Sequence, residues 1–329
     1  MPDSSAAELT TVANDEVVIH EGTSVRRLLG LPPDTQMHVG GFDLRTLPAL
    51  GEHYSTFATV NDLHFGETKI PIERDPDEDP YPEFMNADAV AEILELDPAL
   101  VVIKGDLTSD GTWEQYERFL EVYQGAFGDR MIHIRGNHES YPLLDTEPPP
   151  TQERNLDGVT IALLDTSRPG RVNGSLSSDQ LKWLDELGSR ADRPVMVFGH
   201  HPVWDESVDV RSDDTFGLLP DDTEALIKVF ARRSRLVGYF AGHTHRNHVT
   251  TVPDAPNQVF AEVASVKDFP GSWAEYRVFE GCILQIHRRI STKRALAWSE
   301  RARGMFDGFY GDYAFGQLAD RCFAIPLPR

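Results

Sequence analysis

The sequence predicts an α/β fold built on a mostly parallel β-sheet with helices on its faces. Two observations predict it: short apolar runs alternate with longer amphipathic segments, and polar residues directly follow most of the apolar runs. With 329 residues, the chain can form one large domain or one domain with a smaller appendage. Its 40% hydrophobic and 9% aromatic content is that of an ordered globular protein.

Six segments have the length and apolar character of buried strands. They are residues 54–60, 100–104, 131–135, 159–165, 194–199 and 236–242. Residues 258–266 and 275–289 predict further strands, the latter as a pair with a turn at Glu280-Gly281.

Four segments between these strands carry apolar residues at spacings of three and four, which is typical of amphipathic helices. Asn86 is expected to cap a helix over residues 87–96, and Ser177 or Ser178 a helix over residues 179–187. Residues 112–126 and 221–233 predict the other two helices.

Two terminal regions lie outside this alternation. Residues 1–52 contain short strand-like segments and predict a β extension, while residues 291–329 form a tail rich in glycine and aromatic residues. Neither region is long enough for its own core, so we expect both to pack on a central domain of residues 53–290. Tyr310, Tyr313 and Phe315 in the tail are expected either to stack on a substrate or to cover the core.

The composition is strongly acidic. Lys and Arg number 31 against 53 Asp and Glu, a formal net charge of −22, which indicates a salt-rich cytoplasm and weighs against nucleic-acid binding. Two cysteines cannot form a disulfide framework. No secretion signal or apolar run of membrane-spanning length is evident. We therefore expect a cytoplasmic protein that does not enter a membrane. The sequence leaves the oligomeric state open, and a homodimer is one of the possibilities.

Side chains that can bind metal follow five of the predicted strands. They are Asp62 and His64, then Asp106, then Asn137 and His138, then His200 and His201, and finally His243 and His245. Because ligands bind at the carboxyl ends of strands in an open α/β sheet, we expect these side chains to converge. Carboxylate and imidazole ligands suit divalent Mn, Fe, Zn or Ni, and this many ligands predicts two ions.

Four of these residues directly follow a glycine: Asp106, Asn137, His200 and His243 follow glycines 105, 136, 199 and 242. We expect the missing side chain to let the backbone turn sharply beside the ions. The residues alone do not decide which of the two adjacent histidines, His200 or His201, is the ligand.

The series Asp-x-His, Gly-Asp, Gly-Asn-His-Glu, Gly-His and Gly-His-x-His resembles the calcineurin-like metallophosphoesterase superfamily over about residues 55–290. The resemblance implies a four-layer α/β/β/α sandwich with a dinuclear metal centre. It implies that the first metal is held by Asp62, His64 and His245, the second by Asn137, His200 and His243, and that Asp106 bridges them. It also implies that His200, rather than His201, is the ligand.

The same resemblance implies a mechanism. A hydroxide that bridges the two metals would attack phosphorus, and His138 would donate a hydrogen bond or a proton on the leaving-group side. Glu139 is expected to orient His138.

Departures from other branches narrow the expected substrate. Purple acid phosphatases carry glycine in place of His64 and tyrosine in place of Ser109, so both metals here are expected to be divalent. The stretch GDLTSDG, residues 105–111, lacks the arginine of phosphoprotein phosphatases. The motifs most resemble class III cyclic nucleotide and glycerophosphodiester phosphodiesterases. We therefore expect a small phosphodiester substrate, with specificity in loops 66–85 and 203–220; the alternatives are a phosphomonoesterase with the same centre or a non-catalytic metal-binding scaffold.

Overall fold

The structure is a computed structural model that describes residues 6–74, 77–141, 148–205, 207 and 210–327. Its strands are β1 (Glu8–Val12), β2 (Glu16–Glu21), β3 (Ser24–Leu29), β4 (Gln36–Val39), β5 (Phe42–Arg45), β6 (His53–Val60), β7 (Val101–Lys104), β8 (Met131–Ile134), β9 (Thr151–Leu156), β10 (Val159–Leu164), β11 (Val195–Phe198), β12 (Leu236–Ala241), β13 (His248–Thr250), β14 (Val259–Glu262), β15 (Ser272–Phe279), β16 (Cys282–Arg289) and β17 (Phe323–Pro326). The α-helices are α1 (Tyr81–Leu96), α2 (Trp113–Phe119), α3 (Gly125–Phe127), α4 (Asn137–Ser140), α5 (Ser178–Arg190), α6 (Pro220–Arg232), α7 (Lys293–Arg303), α8 (Phe309–Phe315) and α9 (Leu318–Arg321).

Two six-stranded mixed sheets form the centre of the molecule. The first has the order β17-β16-β15-β6-β7-β8 and the second the order β13-β14-β12-β11-β10-β9. Strands β6, β7 and β8 are parallel, as are β10, β11, β12 and β14, while the outer strands are antiparallel. The α/β class predicted from the alternation is confirmed, but the strands divide between two mixed sheets rather than one mostly parallel sheet.

The two sheets pack against each other through a shared apolar cluster. Phe57 of β6 stacks on Tyr276 of β15 at 4.7 Å between ring centroids, and it meets the edge of Phe198 of β11 at 6.0 Å. Alternate residues such as Ala58 point to the opposite face, where β6 and β7 pack on α1 and α2. Helices α5 and α6 cover the outer face of the second sheet. Burial of both faces explains the uninterrupted apolar strands.

The N-terminal region forms a three-stranded antiparallel sheet, β1-β2-β3, and a β4-β5 hairpin. The hydroxyl of Thr11 donates to the main-chain carbonyl of His287 in β16 at 2.7 Å, and Glu16 pairs with Arg288. These contacts attach the N-terminal sheet to an antiparallel strand of the first central sheet.

The C-terminal tail is more regular than its composition predicts. Residues 293–326 contain three α-helices, a short 3-10 helix and strand β17, which pairs with β16. Trp298 of α7 stacks on Tyr81 of α1 at 4.3 Å between centroids. The glycine-rich and aromatic composition did not predict these elements, because contacts with the rest of the chain, rather than local sequence preference, stabilise them.

One predicted cap is wrong. Helix α1 begins at Tyr81 after Pro80, so Asn86 lies inside the helix and is buried. Its amide donates to the carbonyl of Leu63 at 3.0 Å and accepts from the Tyr123 hydroxyl at 2.8 Å. Asn86 therefore anchors the loop that follows β6, instead of starting a helix.

Both cysteines, Cys282 and Cys322, are buried and unbridged. Within the described residues, no helix has the length and apolar character needed to cross a bilayer.

The buried His20 of β2 predicts a specific pH dependence of stability. Burial and the nearby charges of Arg289 and Arg27 lower its pKa from the ordinary 6.5 to about 3. Below about pH 6.5 the unfolded chain binds a proton that the folded protein does not, so the free energy of unfolding falls as pH falls toward 3. In urea denaturation, the stability of wild type relative to His20→Asn should drop by about 1.4 kcal/mol per pH unit in this window. The exposed His53→Asn is the control, and a constant difference for His20→Asn would contradict this account.

Candidate metal centre

The side chains predicted to bind metal converge on one cavity of about 450 Å³. Those that line it directly are His64, Asp106, Asn137, His138, His243 and His245. Asp62 and His200 are fully buried beside it. The cavity lies where β6, β7 and β8 of the first sheet and β11 and β12 of the second sheet end.

Main-chain hydrogen bonds join the loops that carry these residues. The amides of Leu63 and His64 donate to the Asp106 carbonyl at 2.8 and 3.0 Å. The His243 amide donates to the Asp62 carboxylate at 3.1 Å, which connects the two sheets. The His138 amide donates to Asp106 Oδ1, also at 3.1 Å.

Five of the predicted site residues have left-handed backbone conformations, which are uncommon for residues other than glycine. The φ angles are +56° at Asp62, +48° at His64, +50° at Asp106, +69° at His243 and +57° at His245. Such conformations cluster at functional sites, where the surrounding structure holds them in place.

The glycines before the predicted ligands do not all serve to let the backbone turn sharply, as was predicted. Gly105 has φ +90° and does allow a turn. Gly136 has φ −108°, and a Cβ atom there would lie 2.2 Å from Asp106 Oδ1 and 2.8 Å from His200 Nε2. Close approach of side chains, rather than a turn, therefore requires glycine at position 136.

A first group of donors consists of Asp62, His64 and His245, whose ligand atoms lie within 4.8 Å of one another. His245 Nε2 lies 3.6 Å from Asp62 Oδ1. Among the described residues, neither ring nitrogen of His64 has a hydrogen-bond partner although both are buried. Such buried and unpaired nitrogens favour a ligand that the protein itself does not supply.

A second group of donors consists of Asn137, His200 and His243. His200 Nε2 lies 3.1 Å from Asn137 Oδ1 and 3.3 Å from Asp106 Oδ1. His243 Nε2 is buried and has no hydrogen-bond partner within the described part of the chain. Asp106 lies between the groups, because its Oδ2 is 3.5 Å from His64 Nε2.

Outer hydrogen bonds orient the imidazoles. Nδ1 of His200 bonds to the Lys104 carbonyl at 2.7 Å, Nδ1 of His245 to Asp268 Oδ2 at 3.1 Å, and Nδ1 of His138 to the Ser109 carbonyl at 2.5 Å. A hydrogen-bond partner on Nδ1 fixes each ring and leaves Nε2 directed toward the cavity.

His201 differs from its neighbour. Its Nδ1 bonds to the Thr166 hydroxyl at 2.8 Å and its Nε2 to the Val172 carbonyl at 3.0 Å. Both ring nitrogens are thus occupied, although the ring lies 4.6 Å from that of His243. Geometry favours His200, whose Nε2 faces the carboxylate of Asp106.

The electrostatics of the cavity suit a cation. Burial lowers the pKa of His200, but the carboxylates of Asp106 and Asp62 outweigh this effect and raise the pKa to about 9. Burial raises the pKa of Asp106, yet the surrounding histidines hold it well below its ordinary value. Carboxylate and imidazole donors of this kind match borderline divalent metals.

Two residues at the cavity, Lys267 and Asp268, were not singled out from the sequence. Lys267 Nζ donates to Glu67 Oε2 at 2.5 Å and lies 3.6 Å from Asp268 Oδ2. Asp268 also accepts from the Tyr310 hydroxyl at 2.9 Å. Lys267 therefore lies between two carboxylates, one of which holds His245. Of these residues, Tyr310 was predicted as an aromatic of the tail, and Glu67 lies in the predicted specificity loop 66–85.

One neighbour of Asn137, Glu139, has a role different from the one predicted. Glu139 accepts from the amides of Thr108 and Gly136 at 2.8 Å, so it stabilises the loops, while the Ser109 carbonyl orients His138. The Asn137 amide nitrogen donates to the Tyr141 hydroxyl at 2.9 Å, which turns its oxygen toward His200.

Carboxylates and imidazoles gathered at strand ends of two mixed sheets are typical of metal-dependent hydrolases. Residues 55–247 match the family model of the calcineurin-like phosphoesterases. The chain belongs to this family of phosphoesterases.

Curated relatives are phosphodiesterases by name. A cAMP/cGMP dual specificity phosphodiesterase of Mycobacterium tuberculosis is 28% identical over 203 residues, which is 55% of this chain and 61% of the relative. A 3',5'-cyclic adenosine monophosphate phosphodiesterase of Pseudomonas aeruginosa is 31% identical over 155 residues, covering 45% of this chain and 54% of the relative. A probable glycerophosphodiester phosphodiesterase of Arcobacter nitrofigilis is 29% identical over 167 residues, covering 46% and 59%. The matches span less than two thirds of each relative.

A solved structure shares the fold. A dimetal phosphatase from Danio rerio superposes with a TM-score of 0.55 over 72% of this chain and 97% of that protein, at 19% sequence identity.

The Asp268 carboxylate provides a test of the centre. Asp268→Asn keeps the size of the side chain but removes the charge that holds His245 Nδ1. Metal affinity should fall about 10- to 100-fold, as for other outer partners of metal-binding histidines. Calorimetric titration of the metal-free protein with Mn²⁺ measures this. The control is Asp185→Asn, which removes a carboxylate paired with Arg232 on the surface; equal affinities for both variants would contradict the role of Asp268.

Proposed function

We propose that the protein is a dinuclear metal-dependent phosphodiesterase that hydrolyses a small phosphodiester. One observation carries the proposal: the two oxygens of Asp106 face different donor groups, Oδ2 toward His64 at 3.5 Å and Oδ1 toward His200 at 3.3 Å. A carboxylate placed in this way suits a bridge between two cations.

In this proposal, Asp62, His64 and His245 would hold one divalent ion, Asn137, His200 and His243 would hold the other, and Asp106 would contribute to both. When bound, the two ions would supply a deprotonated water as nucleophile and neutralise charge on the phosphoryl oxygens. We further propose that residues 53–290 form the catalytic unit, with residues 1–52 and 291–329 packed on it.

His138 would protonate the leaving group. Its Nδ1 donates to the Ser109 carbonyl, which fixes the ring and directs Nε2 toward the cavity. As the oxygen of water bonds to phosphorus, the bond from phosphorus to the leaving oxygen breaks, and that oxygen takes the proton from Nε2.

The charges that line the cavity favour a diester over a monoester. Among the described lining residues, Lys267 is the one lysine or arginine, and Glu67 already pairs with it. A monoester dianion carries one more negative charge than a diester monoanion and would gain more from an unpaired cation. Because Lys267 is already paired, the described lining favours the diester. The phosphodiesterase names of the relatives agree with this preference.

The first experiment compares hydrolysis of bis-p-nitrophenyl phosphate and p-nitrophenyl phosphate in high salt, with Mn²⁺ and with EDTA. We expect metal-dependent preference for the diester, and Asn137→Ala should lower kcat by orders of magnitude while the fold is retained. A preference for the monoester would favour the phosphomonoesterase alternative. Metal binding without hydrolysis of either ester would favour the scaffold.

A second experiment tests His138. His138→Asn should lower kcat by about 10²- to 10⁴-fold for a diester with an alkyl leaving group, which needs a proton. The loss should be much smaller for p-nitrophenolate, which leaves as a stable anion. Equal losses on both substrates, at equal metal content, would contradict a proton-donor role. His133→Asn, outside the cavity, is the matched control.

A further inference from the structure

The two sides of the cavity differ in chemistry. Beside His64 and His245 the lining is polar, with the charges of Glu67 and Lys267 and the hydroxyls of Tyr310 and Tyr313. These groups bond to one another or to nearby main chain: the Tyr313 hydroxyl, for example, donates to the Thr244 carbonyl at 3.0 Å.

Beside His243 the lining is apolar. The Phe216 ring stacks on the His243 ring, with centroids 4.2 Å apart and an interplanar angle of 27°. Val172 lies on the same side, since its carbonyl bonds to His201, whose ring is 4.6 Å from that of His243.

Phe216 is unusually exposed for an aromatic residue in such a position. One face of its ring covers His243, yet 52% of the residue is accessible to solvent, and Val172 is 36% accessible. Phe216 therefore offers an open aromatic surface next to the second donor group. Aromatic surfaces of this kind stack readily on planar groups of many chemical types.

We propose that Phe216 and Val172 form a subsite for a planar, apolar ester group of the substrate, and that this group is the arm that stays on phosphorus. The inference rests on the proposed function and makes the substrate an unsymmetrical diester. His138 is adjacent to His64, with ring centroids 4.4 Å apart, whereas Phe216 lies on His243. In this proposal the leaving group faces His138, and the retained arm contacts Phe216.

A matched pair of substrates tests the subsite. p-Nitrophenyl phenyl phosphate and p-nitrophenyl ethyl phosphate release the same leaving group and differ only in the retained arm. Wild type should favour the phenyl ester in kcat/KM, and Phe216→Ala should reduce that preference about tenfold. Phe216→Trp keeps a ring and should retain the preference, whereas Phe216→Leu should lose it.

Two controls separate stacking from damage to the centre. Metal content is measured in each Phe216 variant and must equal that of wild type before substrate ratios are compared, because the Phe216 ring stacks on His243. Trp113→Ala removes another exposed aromatic residue, 54% accessible and outside the cavity lining, and should leave the substrate ratio unchanged.

Failure of this inference is distinguishable from failure of the proposed function. Active enzyme whose phenyl-to-ethyl ratio is the same in wild type and Phe216→Ala would overturn the subsite alone. Loss of hydrolysis with every metal would overturn the proposed function. In that case calorimetry of the Mn²⁺-loaded protein decides on the subsite: diphenyl phosphate should bind more tightly than diethyl phosphate, and Phe216→Ala should abolish the difference.

Discussion

Packing of the two central sheets against each other is the constraint on which the site depends. Asp62, Asp106 and Asn137 follow strands of one sheet, while His200 and His243 follow strands of the other. Lys104 connects the two at the site: its buried Nζ donates to the Ala241 carbonyl at 2.6 Å, and its own carbonyl accepts from His200 at 2.7 Å. Burial lowers the pKa of this lysine to about 7. Lys104 thus joins the ends of strands from both sheets through these two hydrogen bonds.

The motifs and their order could be read from the sequence because each follows a strand of clear apolar pattern. In parallel strands of one sheet this rule is sufficient to predict convergence. It also succeeded across two sheets, since both sheets direct the carboxyl ends of their parallel strands to the same cavity. The strand pattern by itself did not reveal the separation into two sheets, because strands buried on both faces look alike in either arrangement. Only the family resemblance implied two β layers.

The groups that support the histidines were harder to predict. Asp268 and Lys267 come from a loop after β14 with no regular pattern, and their partners Tyr310 and Glu67 are distant in the sequence. Asn86 shows the opposite difficulty: it has a strong local preference for a helix cap, but hydrogen bonds to Leu63 and Tyr123 determine its place. Local propensity yields to tertiary contacts in such cases.

The left-handed residues have a consequence for protein engineering. At Asp62, His64, Asp106, His243 and His245 the chain must provide both a donor atom and an uncommon backbone conformation. Copying these side chains onto the strand ends of another scaffold would reproduce the chemistry without the loop shapes that aim it. A transplanted centre would need the loops themselves, with glycine at 105 and 136, and a neighbouring sheet close enough to hold them.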